Sequence, residues 1–219
     1  MLLLSASLAL AADPVDVGVI KNSDIKVVQR VLYTKDGKLE LGAGLGVMPF
    51  DGLTTAPLLA LSGTTNFSET VGLEVQLAGG YGLPTERWLW LDSFGVDVEA
   101  YRYLSSVQAD IQWSPIYAKM NLFGRKILHH EVYLLAGAGL TIEQSLIPDD
   151  STGGFPLALA PTIPIGVGTR VWIGDNLVLR GELRDSMMIE RRKMSQTTAF
   201  KQNAAIMIGV GIYTGGSSK

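Results

Sequence analysis

The chain contains no cysteine, and that one absence removes disulfides, thiolate metal sites and cysteine nucleophiles together. No window offers about 18 uninterrupted apolar residues, so no transmembrane helix is expected. Charge is sparse as well: Asp, Glu, Lys and Arg make up 18% of the residues and the net charge is −3. That leaves no basic footprint for nucleic acid. Yet mean hydropathy is positive, +0.25. A hydrophobic total without a hydrophobic helix means apolar residues spread over every second position.

The stretch Val107 to Glu143 shows this most plainly. In its first run Val107, Ala109, Ile111 and Trp113 share one face, opposite Gln108, Asp110, Gln112 and Ser114. In its second run Val132, Leu134, Ala136, Ala138, Leu140 and Ile142 oppose Tyr133, Leu135, Gly137, Gly139 and Thr141. Side chains alternate across a strand, so each run predicts a strand with one apolar side. Long strands of this kind suit a membrane barrel.

The same parity recurs along the chain. It predicts strands over about 39–47, 54–65, 71–78, 107–114, 132–142, 165–173, 177–184 and 204–212, with the segment 83–103 as a long connection carrying RWLWLD. Eight strands and no comparably strong helical segment predict an all-β fold, an eight-stranded antiparallel transmembrane up-and-down β-barrel. The 2–3 and 6–7 connections are tight and the 3–4, 5–6 and 7–8 connections long, which points both termini to the periplasm. The 1–2 connection is short for an external loop, and the 4–5 connection is long for a periplasmic turn.

The N-terminal MLLLSASLALAA reads as a secretory signal with an apolar core and a small-x-small cleavage pattern. The expected organisation is a removable signal at 1–11, a periplasmic extension at 12–37, the barrel at 38–214 and a tail at 215–219. The expected location is the bacterial outer membrane.

Polarity carries the functional reading. One face of almost every run is aliphatic, while Arg170, Arg180 and Arg184 share the other with Glu40, Glu74, Asp110 and Glu182. A mid-depth arginine facing lipid costs about 2–4 kcal/mol, so these seven residues are expected to face the lumen and neutralise one another. In a barrel this narrow they would fill the interior and leave no wide pore. Trp113, Tyr117, Phe123, Tyr133, Trp172 and Tyr213 near strand ends are candidates for interfacial girdles, with Trp172 inward by register. Trp88, Leu89 and Trp90 are too apolar for a free loop, so they are expected to meet lipid or a neighbouring subunit.

QADIQWSPIYAKMNLFGRK, followed by HHEVYLLAGAGLT, resembles the porin-like outer-membrane β-barrel proteins of predatory and gliding bacteria, small OmpA-like barrels. VVQRVLYTKDGKLELGAGLGVMPFD is similar to the family's opening strand. The resemblance spans roughly residues 25–213, and Trp113-Ser114-Pro115 with Lys119 and Gly124 is its most specific part. It implies a homo-oligomer closed into a ring, with membrane lipid enclosed in some members.

Other motifs point elsewhere. GAGLGV at Gly42–Val47 lacks the third glycine and the helix of a dinucleotide site. His130, Ser145 and Asp149 would make a hydrolytic set, but they fall at opposite ends of one strand, some 14 residues apart at about 3.3 Å each. Asp149 and Asp150 are acidic without EF-hand spacing. Glu190–Lys193, ERRK, offers guanidinium groups to lipopolysaccharide phosphate or is simply solvated. The expectation is a non-enzymatic barrel with no catalytic, cofactor or metal site, whose partners are membrane lipid or lipopolysaccharide and copies of itself. The alternatives are an outer-membrane lipid-modifying enzyme or a narrow diffusion channel.

Overall fold

The computed structural model describes residues 35–96, 98–122, 126–149, 153–173, 176–192 and 195–214. The expected signal, most of the extension and the tail lie outside these residues, as do Phe123, Gly124, Asp150 and Lys193. Among the described residues nine strands and one helix follow in order: β1 (Leu39–Met48), β2 (Thr54–Asn66), β3 (Val71–Gly80), β4 (Leu83–Pro84), α1 (Glu86–Ser93), β5 (Tyr101–Leu122), β6 (Lys126–Ser145), β7 (Leu157–Trp172), β8 (Leu177–Arg191) and β9 (Thr198–Thr214).

Strands β1, β2, β3, β5, β6, β7, β8 and β9 pair antiparallel in sequence order, and β1 also pairs with β9. The eight close into a ring, so the expected barrel is present. Closure removes the sheet edge and satisfies the backbone within the wall, which spanning a bilayer requires. β4 is a two-residue strand beside Thr54 and Thr55 of β2.

The wall has the polarity of a membrane barrel. Leucine, isoleucine and valine are exposed along the outside, among them Leu45, Leu59, Ile111, Leu183 and Ile208. Glu40, Glu74, Asp110, Arg170 and Thr162 are buried on the inside. Glycines on inner rows make room for large inward side chains. Tyr133 lies against Gly168 so closely that a Cβ there would collide with its ring.

Three local features depart from the sequence pattern. First, β5 and β6 run 22 and 20 residues, and their pairing continues out to Leu122–Lys126. The long connection expected between the fourth and fifth strands is therefore largely a continuation of the β5–β6 pairing. That pairing slips between Trp113 and Ile116, at Pro115, which has no N–H to give to the ladder. The slip breaks the parity, so the runs look shorter in sequence than they are.

Second, RWLWLD is a helix, α1, rather than an irregular connection. Thr85 precedes it with extended backbone, Glu86 opens its first turn, and Gly95 at φ +69° ends it, its N–H donating to the Asp92 carbonyl at 2.9 Å. The helix is eight residues long and buries none of them, so no core-facing 3.6-residue stripe marked it.

Third, β7 begins at Leu157 and carries Pro161 and Pro164. Its pairing with β6 lapses between Thr162 and Ile165. The second proline, which cannot donate to the ladder, sits in that gap.

Candidate functional site within the barrel

All seven side chains expected in the lumen are buried inside the wall. Period-two geometry on β1, β3, β5, β7 and β8 points them at one another. Arg180 Nη2 donates to Glu74 at 2.6 Å and to Glu182 at 3.2 Å, and its Nη1 donates to Glu40 at 3.3 Å. Arg184 reaches Asp110 at 2.7 Å, Glu182 at 2.8 Å and Glu74 at 2.9 Å. Arg170 pairs with Glu40 at 3.0 Å.

The position of these strands matters more than any single bond. In the ring order, β8 and β3 are four strands apart whichever way one counts. Arg180 and Arg184 of β8 both bind Glu74 of β3, so ion pairs cross the barrel's diameter. Buried charges need such partners, because an unpaired charge in a low-dielectric interior is very costly.

Further groups join from residues outside the seven expected in the lumen. Glu131 pairs with Arg170 at 2.7 Å and with Lys35. Tyr133 donates to Glu182 at 2.7 Å, and the Arg170 guanidinium lies 4.2 Å from the centre of its ring. Gln112 accepts from Arg170, and Gln108 accepts from Arg184 at 2.6 Å. Glu131 shares the inward row of Tyr133, Leu135 and Gly137 but falls just before the run predicted from the sequence. Lys35 precedes the first strand and carried no periodic signal. Burial pulls the Lys35 ammonium below its ordinary value, against the opposing pull of Glu131.

A second cluster sits at the end of the barrel where the β1–β2, β3–β5, β6–β7 and β8–β9 connections lie. Lys201 reaches Glu143 at 2.9 Å, Asp51 at 3.2 Å and Glu190 at 3.7 Å. Burial pushes the Asp51 carboxyl up, but Lys201, the Leu53 N–H and the Thr54 hydroxyl together hold it below the usual carboxylate range. Between the two clusters Met48, Leu58, Ala60, Tyr103 and Met207 form a buried apolar layer.

Several expectations require correction. Tyr133, Trp172 and Tyr213 are buried inside the barrel, so they do not form an interfacial girdle. Trp172 and Tyr213 stack with ring centres 6.3 Å apart, and Tyr117 packs against them. Trp113 does face outwards. Within the ERRK run Glu190 turns inward and Arg192 binds it at 3.1 Å, while Arg191 is exposed. His130 and Ser145 pair with Ala118 and Tyr101 at opposite ends of the β5–β6 ladder. Among the described residues, no group of three His, Cys, Asp or Glu side chains is placed to hold a metal. On α1, Trp88 is half-buried, while Leu89 and Trp90 are exposed.

No protein-family model matches the chain, and no curated protein matches it in sequence. Among solved structures, it is similar to the N-terminal β-barrel domain of Pseudomonas aeruginosa OprF, with TM-score 0.50 and 13% identity over 82% of this chain and 98% of that one. It also matches Neisserial surface protein A, with TM-score 0.48 and 11% identity over 80% and 94%. A third match is Ail, the attachment invasion locus protein of Yersinia pestis, with TM-score 0.41 and 15% identity over 82% and 99%. The likeness to the OprF domain shows the fold.

Proposed function

We propose that this outer-membrane β-barrel has a plugged lumen and acts through its outer wall, as a non-enzymatic protein that organises membrane lipid around copies of itself. The observation that carries the plug is the pairing of Arg180 and Arg184 with Glu74 across the diameter. Side chains that meet in the middle of a narrow barrel occupy the path a solute would take. The lateral role is supported by what remains exposed. Trp90 on α1 is 61% exposed and Trp113 on the outer wall 52%, and both are apolar surfaces of the kind that lipid or a neighbouring subunit covers.

Planar-bilayer recording tests the plug. The parent protein is expected to give no steady conductance, and Arg180→Ala to introduce small, flickering openings. A large steady conductance in the parent overturns the plug and favours a channel. Mass spectra of lipid A from cells with and without the protein address the enzymatic alternative, and identical spectra are expected. Native mass spectrometry in mild detergent reads both subunit number and retained lipid. A closed ring, the form implied by the resemblance, requires more than two subunits with lipid retained; only lipid-free monomers would end the lateral reading.

A further inference from the structure

One charge faces the wrong way. Asp185 lies on the outward row of β8 with Leu177, Leu179, Leu183, Met187 and Ile189. Its neighbours across the ladder are Ile165 of β7 and Ala204 of β9. Beyond it the outward row of β9 carries Gln202, and then Phe200, which pairs with Ile189, both of them exposed. Asp185 therefore lies within the apolar band rather than at its rim. Its Oδ1 is buried and has no hydrogen-bond partner, and among the described residues its carboxylate forms no ion pair. Around it the outer wall forms a hollow of about 770 Å³, lined by Ala136, Ile165, Leu183, Ala204 and Ile206 with Phe50 above. An ionisable side chain at membrane depth is costly, and it persists where something supplies its partner.

Lipid tails offer neither donor nor cation. The outward cations of the described strands lie at the rims: Arg102 and Arg191 at one end, Lys119 at the other. Arg191 is six residues from Asp185, about 20 Å along the strand. Every copy inserts in the same direction, so a cation of a second copy does not reach this depth. The outward polar group that a second copy brings to this same depth is its Asp185, with Gln202 one step further along β9. A carboxyl group that holds a proton is both donor and acceptor, so two of them satisfy each other across a twofold axis.

We propose that the hollow around Asp185 seats a second copy of this chain, with the two Asp185 carboxyl groups hydrogen-bonded to each other inside the membrane. Alanines at 136 and 204 let the walls approach, as small residues do at membrane interfaces. This rests on the reading that copies associate laterally and adds the contact through which they do so. A ring brings two different faces together, whereas this contact brings one face against itself.

The absence of cysteine makes the test clean. Ala204→Cys keeps Asp185 and places a thiol beside it. In native membranes, a bis-maleimide spanning about 10 Å, comfortably wider than twice the strand spacing less side-chain reach, is expected to give covalent dimers, while Val75→Cys on the opposite wall gives none. Adding Asp185→Leu is expected to lower the dimer yield about tenfold. Asp185→Asn, whose amide is also both donor and acceptor, is expected to retain it. Leucine suits a lipid-facing position, so loss of folding does not confound the result. Absence of dimers from Ala204→Cys, or equal yield with Asp185→Leu, overturns the proposal. If the subunit number by native mass spectrometry is nevertheless unchanged in Asp185→Leu, this contact is refuted while lateral association stands.

Discussion

Replacing Arg184 with methionine is the sharpest test of the internal network, because its carboxylate partners are not equally insured. Glu74 keeps Arg180 at 2.6 Å, and Glu182 keeps Arg180 at 3.2 Å and the Tyr133 hydroxyl at 2.7 Å. Asp110 keeps nothing: Arg184 is its one ion pair among the described residues, and its Oδ1 already lacks a hydrogen bond. Orphaning a buried charge costs about 3–5 kcal/mol. Arg180→Met leaves every carboxylate with another cation, since Glu40 keeps Arg170 and Glu182 keeps Arg184. Its cost is set by lost hydrogen bonds to charge and is expected at about 1–3 kcal/mol. Arg184→Met should therefore be the more damaging of two chemically identical changes on one strand. Adding Asp110→Leu to Arg184→Met should recover about 1–3 kcal/mol, the signature of a directly coupled pair. Urea titrations in detergent micelles, followed by the mobility difference between folded and unfolded barrel on cold gels, measure all four proteins. A cost below about 1 kcal/mol for Arg184→Met, or an Arg180→Met variant less stable than Arg184→Met, would mean that Asp110 is solvated and that the reasoning fails.

Two further outcomes are expected. Asp51 has a depressed carboxyl in the folded protein, so it contributes stability above its unfolded value of about 3.9 and loses it as pH falls through the folded value. Asp51→Asn should lie below the parent in urea midpoint at pH 7, and the gap should close at strongly acid pH; a gap unchanged by acid would contradict the pairing with Lys201. Brominated lipid should quench a variant that retains only Trp113 and spare one that retains only Trp172, because the first is exposed on the wall and the second is buried inside. Equal quenching would contradict the polarity of the wall.

Parity made most of the barrel legible from the chain. A period of two separates inward from outward wherever a strand is regular, so the sides of Glu40, Glu74, Asp110, Arg170, Arg180, Glu182 and Arg184 follow from counting. Counting also assigned Tyr133 to the inner row, yet its place near a strand end suggested an interfacial aromatic. The inner row prevails because Glu182 takes its hydroxyl and Gly168 leaves space for its ring. The full lengths of β5 and β6 were hidden where Pro115 shifts the register, because one slipped residue inverts every later assignment. Lys35 could not be placed, since a residue ahead of the first strand belongs to no row. Asp185 falls one residue past the strand predicted over 177–184, although it continues the outward row of Leu183. Alternation gives its direction and says nothing about why a carboxylate should point towards lipid.

The cross-diameter pairs also bear on how the chain reaches its final form. Arg180 and Arg184 find Glu74 more than a hundred residues earlier in the sequence, and Arg180 finds Glu40 at a separation of 140. A partly rolled sheet would carry the arginines of β8, with Glu182 as their one acid on that strand, and the acids of β1 and β3 on separate, incompletely neutralised flaps. Bringing the last strand to the first cancels those charges in the same motion that joins the wall. Assembly into the bilayer is thus expected to be all-or-none, with the final zipping of β9 to β1 as the step that makes the interior electrically tolerable.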